Sequence, residues 1–211
     1  MTMQMTSCTK KGRGRPKVFD REATLDRAME LFWQHGYEAT SLADLVEATG
    51  AKAPTLYAEF TNKEGLFRAV LDRYVSTFAA RHKAQLFCDE KPVEQAVRDY
   101  LTALARCFTS TDTPAGCFLI NTSATVSASS EQIACAVRTR HAQEEEMLLA
   151  FLTQRQEKGE LPAHTDLSAL TAFISCLIQG MSVSAREGAS PEDLMQIIDT
   201  TLALWPTLVS S

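Results

Sequence analysis

Apolar residues recur along this chain at helical spacing, and turn-forming residues interrupt them at intervals. The clearest case lies between residues 40 and 63. Leu42, Leu45 and Val46 fall at i, i+3 and i+4, the spacing of one buried helical face. Ser41 precedes them with Asp44 three residues on, a capping-box-like start in which the hydroxyl accepts an unpaired first-turn N–H. Gly50 follows as the stop, because a left-handed backbone there carries no Cβ penalty. A second helix restarts near Lys52 with Pro54 in its first turn, and Leu56 and Phe60 give it an apolar side. Two short helices about a glycine turn form the helix-turn-helix pattern, whose second helix enters the DNA major groove.

The same reading extends to both ends. Asp20 is the expected N-cap of a first helix reaching about His35, with Ala23, Leu25, Ala28, Leu31 and Phe32 inward and Gly36 ending it. Thr61 and Glu64 read as a second capping box, opening a long helix that carries Leu66, Phe67, Val70, Leu71, Tyr74, Val75 and Phe78. Pro92 starts a helix running to about Thr109, with Val93, Ala96, Val97, Tyr100, Leu101, Leu104 and Phe108 inward. Residues 111–114 break the pattern, and an apolar segment spans Ala115–Val126. Ser129 to Gln132 caps a long helix that Gly159 ends. Asp166 or Thr165 caps an apolar helix from Leu167 to about Arg186, closed by Gly188. Ser190-Pro191-Glu192-Asp193 opens a last helix that runs to Trp205-Pro206. No segment alternates with period two. The expectation is an all-α fold of about nine helices: an N-terminal three-helix helix-turn-helix domain over residues 18–63, and a C-terminal helical domain over residues 64–211.

Charge changes the picture at the N-terminus. The net charge of −5 over 211 residues argues by itself against a nucleic-acid binder. Residues 1–17, however, hold Lys10, Lys11, Arg13, Arg15 and Lys17 and no acid, and read as a disordered basic arm. From Glu64 onward acids outnumber bases by 18 to 12, which suits a part of the molecule that does not touch DNA. Six scattered cysteines, without a C-x-x-C pair or a histidine at ligand spacing, predict reduced thiols and no structural metal. No signal peptide or membrane-length apolar run is read, so the expectation is a cytoplasmic protein with no cofactor and no membrane partner.

Gly50-Ala51-Lys52-Ala53-Pro54-Thr55-Leu56-Tyr57-Ala58-Glu59-Phe60, followed by Asn62-Lys63-Glu64, closely resembles the DNA-binding signature of TetR-family transcriptional repressors. The likeness extends upstream through Ala28-Met29-Glu30-Leu31-Phe32 and Gly36-Tyr37-Glu38-Ala39-Thr40-Ser41. It covers roughly the first third of the chain. The resemblance implies that Lys52, Ala53, Pro54 and Thr55 face base edges, while Thr40, Ser41, Tyr57 and Lys63 clamp phosphates. Tyr57 is read as exposed because Leu56 and Phe60 already supply the inward face. Two positions depart from the commoner pattern: Lys52 stands where a serine cap is usual, and Glu59 where histidine is frequent. Glu59 must therefore point away from phosphate or pair with a base or cation.

The resemblance also implies a homodimer on a palindromic operator, formed through the last two helices, with Leu170, Ile174, Leu177, Ile178 and Met181 on one and Leu194, Ile197, Ile198, Leu202 and Trp205 on the other. The long helix shared by both domains would carry a signal from a small-molecule cavity. Candidate cavity residues are Tyr74, Phe78, Leu101, Leu104, Phe108, Leu119, Asn121, Met147, Phe151, Phe173 and Gln179, a mostly apolar set that reads equally as core. Cys117 follows Pro114-Ala115-Gly116 at an expected helix start, where the dipole would lower a thiol pKa and make it a sensor of electrophiles; a buried, inert cysteine is the competing reading. Arg13 and Arg15 lie in Arg-Gly-Arg-Pro, which resembles an AT-hook core or is a basic tail on phosphates; Lys17 belongs to the same arm. No nucleophile elbow, phosphate loop or metal constellation is present, so no enzyme is expected. The expected function is a ligand-responsive, DNA-binding regulator, with a constitutive AT-rich architectural binder as the alternative.

Overall fold

A computed structural model describes residues 19–87, 91–127 and 129–210. Arg13, Arg15 and Lys17 lie outside the described residues. Helices α1 (Arg21–Ala39), α2 (Leu42–Thr49) and α3 (Ala53–Phe60) form the N-terminal unit. Then come α4 (Lys63–Tyr74), a π-helical turn (Val75–Ala79) and α5 (Ala80–Leu86), which run on as one rod. The rest comprises α6 (Val93–Phe108), α7 (Phe118–Thr125), α8 (Glu131–Glu157), α9 (Leu167–Arg186), α10 (Pro191–Ala203) and the short turn α11 (Trp205–Leu208). Among the described residues there is no strand.

The caps explain most boundaries. Asp20 accepts from Ala23 N–H, Asp166 from Ala169 N–H, and Ser41 and Ser190 each form a reciprocal box with the aspartate three residues on. Gly50 takes φ 66° and returns its N–H to the Val46 carbonyl, closing α2. At the start of α4 the expected Thr61 box does not form. Thr61 has φ 69° and closes α3 through its own N–H to the Tyr57 carbonyl; Asn62 is the cap and accepts from Gly65 N–H at 2.8 Å. The turn is so tight that a Cβ on Gly65 would stand 2.0 Å from the Phe60 carbonyl oxygen. Ser130 likewise makes no side-chain cap for α8; its side chain is turned to Glu38, to which its hydroxyl donates.

The core is continuous from end to end. Leu25, Ala28, Met29 and Phe32 of α1 pack with Leu45, Leu56, Phe60, Leu66, Phe67 and Val70. Trp33 bridges onward, meeting Tyr74 edge-to-face at 5.4 Å and Phe118 of α7 at 5.9 Å. Arg73 adds a polar pin, its guanidinium forked onto Asp26 at 2.6 and 2.8 Å. The α6 stripe is buried as expected. One charge in this core was not foreseen. Arg155 of α8 is 1% exposed and donates to Glu160 at 2.7 Å and to the Lys91 carbonyl at 3.1 Å. Glu160 accepts in turn from Val93 N–H at 2.8 Å, supplying the first-turn partner that Pro92 cannot offer α6.

Helix α9 corrects two expectations. It is 20 residues long with a mean hydropathy of 1.5, so one helix among the described residues is long and apolar enough to cross a membrane by length and composition. Serines, one threonine and a glutamine break its apolar runs and hide that average in the sequence. The helix also divides its apolar residues between two faces. Leu170, Ile174 and Met181 are buried inside the protomer, as are Leu194, Ile198, Leu202 and Trp205, so these seven do not present side chains outward. Leu177, Ile178 and Ile197 are half-buried. The outward face carries Phe173, Cys176, Gly180 and Val183, with Phe173 38% and Val183 44% exposed.

Candidate DNA interface and effector cavity

The helix-turn-helix geometry follows from the pattern of α2 and α3. Leu45, Leu56 and Phe60 are buried, so α3 turns its other side to solvent. Lys52 is the exposed N-cap residue, with extended backbone and no side-chain cap bond, and Pro54 is exposed beside it. Ala53 and Thr55 are half-buried, and Tyr57 is 45% exposed. Ser41 is exposed at the start of α2; its oxygen accepts from Asp44 N–H and its hydroxyl bonds the Asp44 carboxylate, lowering that carboxyl's pKa. This set presents a cation, a threonine, a tyrosine and a serine on one side of the unit.

Thr40 and Lys63 are placed differently from the expectation, while Glu59 pairs with a cation as its position required. Thr40 is 1% exposed and its hydroxyl donates to the Gly36 carbonyl at 2.7 Å, so that group is already used inside the protein. Lys63 is half-buried, with its Nζ 4.4 Å from the centre of the Tyr37 ring and 3.4 Å from the Glu38 carbonyl; burial lowers its pKa. Glu59 finds a cation within the protein. Arg21 donates to it at 2.8 Å, which ties α3 to α1 and offsets the carboxylate beside the DNA face.

A cavity of about 380 Å³ opens beside the π-helical turn, bounded by the rod and by α6, α7, α8 and α9. Of the expected lining residues, Tyr74, Leu104, Phe108, Cys117, Met147 and Gln179 border it. Leu101, Leu119 and Phe151 are wholly buried core, Phe78 packs on Trp33 and Tyr74, and Phe173 lies on the outer face of α9. Asn121 is also outside the cavity. Its amide donates to the Ala115 carbonyl at 3.0 Å and holds the loop before α7. The size falls within the range of small-molecule sites. The π turn widens the rod where Val75 and Ser76 meet the cavity, and such turns concentrate at functional sites.

Cys117 sits at the N-cap of α7, as the spacing predicted, yet it is not activated. Burial pushes its thiol up to about 12 despite the amides of Leu119 and Ile120, which act to lower it. Its sulfur lies 3.2 Å from the Tyr74 hydroxyl. Burial likewise raises Tyr74 and Tyr100 and lowers His82 and His141, keeping all of these groups neutral near pH 7.

The residue missed from the sequence is Glu144. It lines the cavity, and burial alone raises its carboxyl from 4.5 to about 7. Its place in the run Glu144-Glu145-Glu146 reads as a solvated helix face. The overlooked signal is the stripe Val137, His141, Glu144, Leu148, Phe151, Arg155, which steps by four and three along the inward side of α8.

Comparison with known proteins agrees with this geometry. Residues 25–70 match the family described as bacterial regulatory proteins, tetR family, and residues 92–201 match the tetracyclin repressor-like C-terminal domain. The chain is 68% identical over 209 residues to the HTH-type transcriptional repressor ComR of Escherichia coli strain K12, covering 99% of this chain and 100% of that protein. It is 32% identical over 181 residues to the HTH-type transcriptional repressor BdcR of the same strain, covering 86% of each. Among solved structures, a cysteine mutant of the TetR family transcriptional regulator CifR, complexed with 26bp double-strand operator DNA, is similar at a TM-score of 0.86 and 32% identity, over 91% of this chain and 100% of that one. With the helix-turn-helix and the C-terminal helical region both matched, the chain belongs to the TetR family of bacterial transcriptional regulators.

Proposed function

We propose that this protein represses transcription by binding a palindromic operator as a homodimer, and that a small molecule entering the cavity beside Tyr74 releases it. The observation that carries this reading is the rod from Lys63 to Leu86. Its first residue abuts the recognition helix α3, and Tyr74, Val75 and Ser76 farther along it form the cavity wall. A ligand that favours one setting of the rod thereby favours one placement of α3. The names of ComR and BdcR support repression, and the operator complex of CifR supports the DNA partner.

The dimer surface is the outward face of α9, Phe173, Cys176, Gly180 and Val183, rather than the buried residues that the apolar pattern first suggests. Only 28% of the apolar window of α9 is buried within one protomer, and a second copy across a two-fold axis would cover the rest. On DNA, Lys52 and Thr55 read bases, while Ser41, Tyr57 and the arm of residues 1–17 hold the backbone. An activated thiol is not the trigger in this reading, since Cys117 is buried and protonated. A constitutive architectural binder would leave the cavity without a role.

The test starts from duplexes selected by the full chain out of a random pool. An inverted repeat with half-sites about 34 Å apart is expected, bound by a dimer in sedimentation. Phe173→Glu should yield monomers and lose the duplex. A selected site without two-fold symmetry, or a wild-type monomer that binds it fully, would refute the dimeric reading. If every compound that raises the protein's Tm left operator binding intact, the release mechanism would fall.

A further inference from the structure

Glu144 is a feature of the cavity wall that a purely apolar effector does not explain. It lines the same cavity as Tyr74 of α4, Tyr100 of α6 and Cys117 at the start of α7, and its charge disfavours ionisation of all three. Burial is the sole cause acting on it, and among the described residues no hydrogen bond or ion pair reaches it. The cations nearby are engaged elsewhere or lie at the rim. Arg140 is held by Asp72 and by Gln143 at 2.8 Å, and Lys83 lies over the Phe87 ring at 5.7 Å. His82 and His141 are kept neutral by burial, and Glu145 is an exposed carboxylate at the rim.

Glu144 is half-buried at the cavity wall, and an acid removed from bulk water without a partner is unfavourable. Here the group borders a space large enough for a ligand and stands beside two aromatic rings, Tyr74 and Tyr100, with Leu104, Phe108 and Ile120 completing an apolar wall. Aromatic faces attract cations, and a carboxylate in a water-poor site attracts them more strongly. We propose that the cavity recognises an organic cation, an amine or quaternary ammonium whose charge sits against Glu144 between Tyr74 and Tyr100 while its apolar body fills the space along Leu104, Phe108 and Ile120. This assignment rests on the reading of the cavity as the effector site.

The test uses three matched probes, 4-phenylbutylamine, 4-phenylbutanol and 4-phenylbutyrate, titrated calorimetrically into the full-length protein. Wild type should bind the amine at least about tenfold more tightly than the alcohol or the acid. Glu144→Gln should abolish that preference while Glu145→Gln keeps it, and Glu144→Met serves as a second variant of similar volume. Equal binding of the three probes, a preference that survives in Glu144→Gln and Glu144→Met, or no binding of the amine at millimolar concentration would overturn the proposal. Anisotropy with the selected operator separates the two claims. Glu144-dependent amine binding that leaves the DNA complex intact would sustain the cation site and refute the effector reading. Release by the alcohol or the acid, independent of Glu144, would do the reverse.

Discussion

Replacing Glu144 with glutamine should make the protein more stable, and only above the acid range. The side chain stays almost the same size, so the change isolates the charge. The folded carboxyl titrates at about 7 and the ordinary group at 4.5. Below the lower value both states hold the proton and the group contributes nothing. Between the two values the unfolded chain releases its proton while the folded chain keeps it, so stability falls as pH rises, and the full penalty stands above the folded pKa. That separation corresponds to about 3 kcal/mol per protomer at pH 8. For a chain of this size, Glu144→Gln should raise Tm by roughly 5–10 °C at about pH 8 and by little at about pH 5. Burial disfavours the charged form of the other titratable groups at the cavity, Tyr74, Tyr100, Cys117 and His82 on neighbouring elements and His141 on α8 itself. Scanning calorimetry at fixed protomer concentration measures the difference, with Glu145→Gln as the exposed control. A gain of the same size at both pH values, or none at pH 8, would show that the carboxyl is not held protonated by burial.

Four further outcomes are expected. Gly65→Ala, normally favourable in a helix, should destabilise by at least about 2 kcal/mol in urea unfolding, because its Cβ would overlap the Phe60 carbonyl. Glu160→Ala should lower stability by about 2 kcal/mol in the same assay, since Arg155 loses its carboxylate in the core and α6 its first-turn partner. Lys52→Ala should weaken binding to the selected operator by about 1–3 kcal/mol and relax preference at one base pair, while an exposed rim lysine such as Lys83 should matter little. Glu38→Ala should speed hydrogen exchange at the start of α8 about fivefold and remove the protection that operator DNA confers there, because Ser127 N–H and the Ser130 hydroxyl both donate to that carboxylate.

Local chemistry made most boundaries legible. Ser41, Asp166 and Ser190 announce their helices because a cap needs only residues three apart, and the α6 stripe announces its buried face because one helix repeats every 3.6 residues. What stayed hidden depends on contacts between elements distant in the chain. Thr61 and Asn62 are both competent caps, and only the approach of α3 to α4 selects the second. Arg155 looks like a surface residue until Glu160 and the Lys91 carbonyl close around it. The α9 pattern is apolar on two sides, so sequence alone does not divide core from outer face. At Cys117 the structure selects the buried, inert reading over the sensor: the helix-start amides lower the thiol pKa, but burial outweighs them.

The molecule's coupling problem reduces to one junction. The end of α1, the start of α4 and the α7–α8 connection meet around Glu38: its carboxylate holds Ser127 and Ser130, and its carbonyl receives Lys63, whose ammonium also rests on Tyr37. Helix α7 follows its N-cap Cys117 on the cavity wall and ends two residues before Ser127. The rod begins at Lys63 and reaches the same cavity at Tyr74. Two rigid elements therefore run from one cavity to one point beside the recognition helix, α7 by way of Glu38 and the rod directly. If a ligand moved only one of them, the Glu38 contacts would have to break; if it moved both together, the contacts would travel with α1 and reorient α2 and α3 as a unit. The second path keeps the charged hydrogen bonds intact and is the less costly one. The π turn at Val75–Ala79 lies where the rod meets the cavity, the place where a small change in helix winding can be absorbed on the ligand side while the DNA side moves as a rigid body.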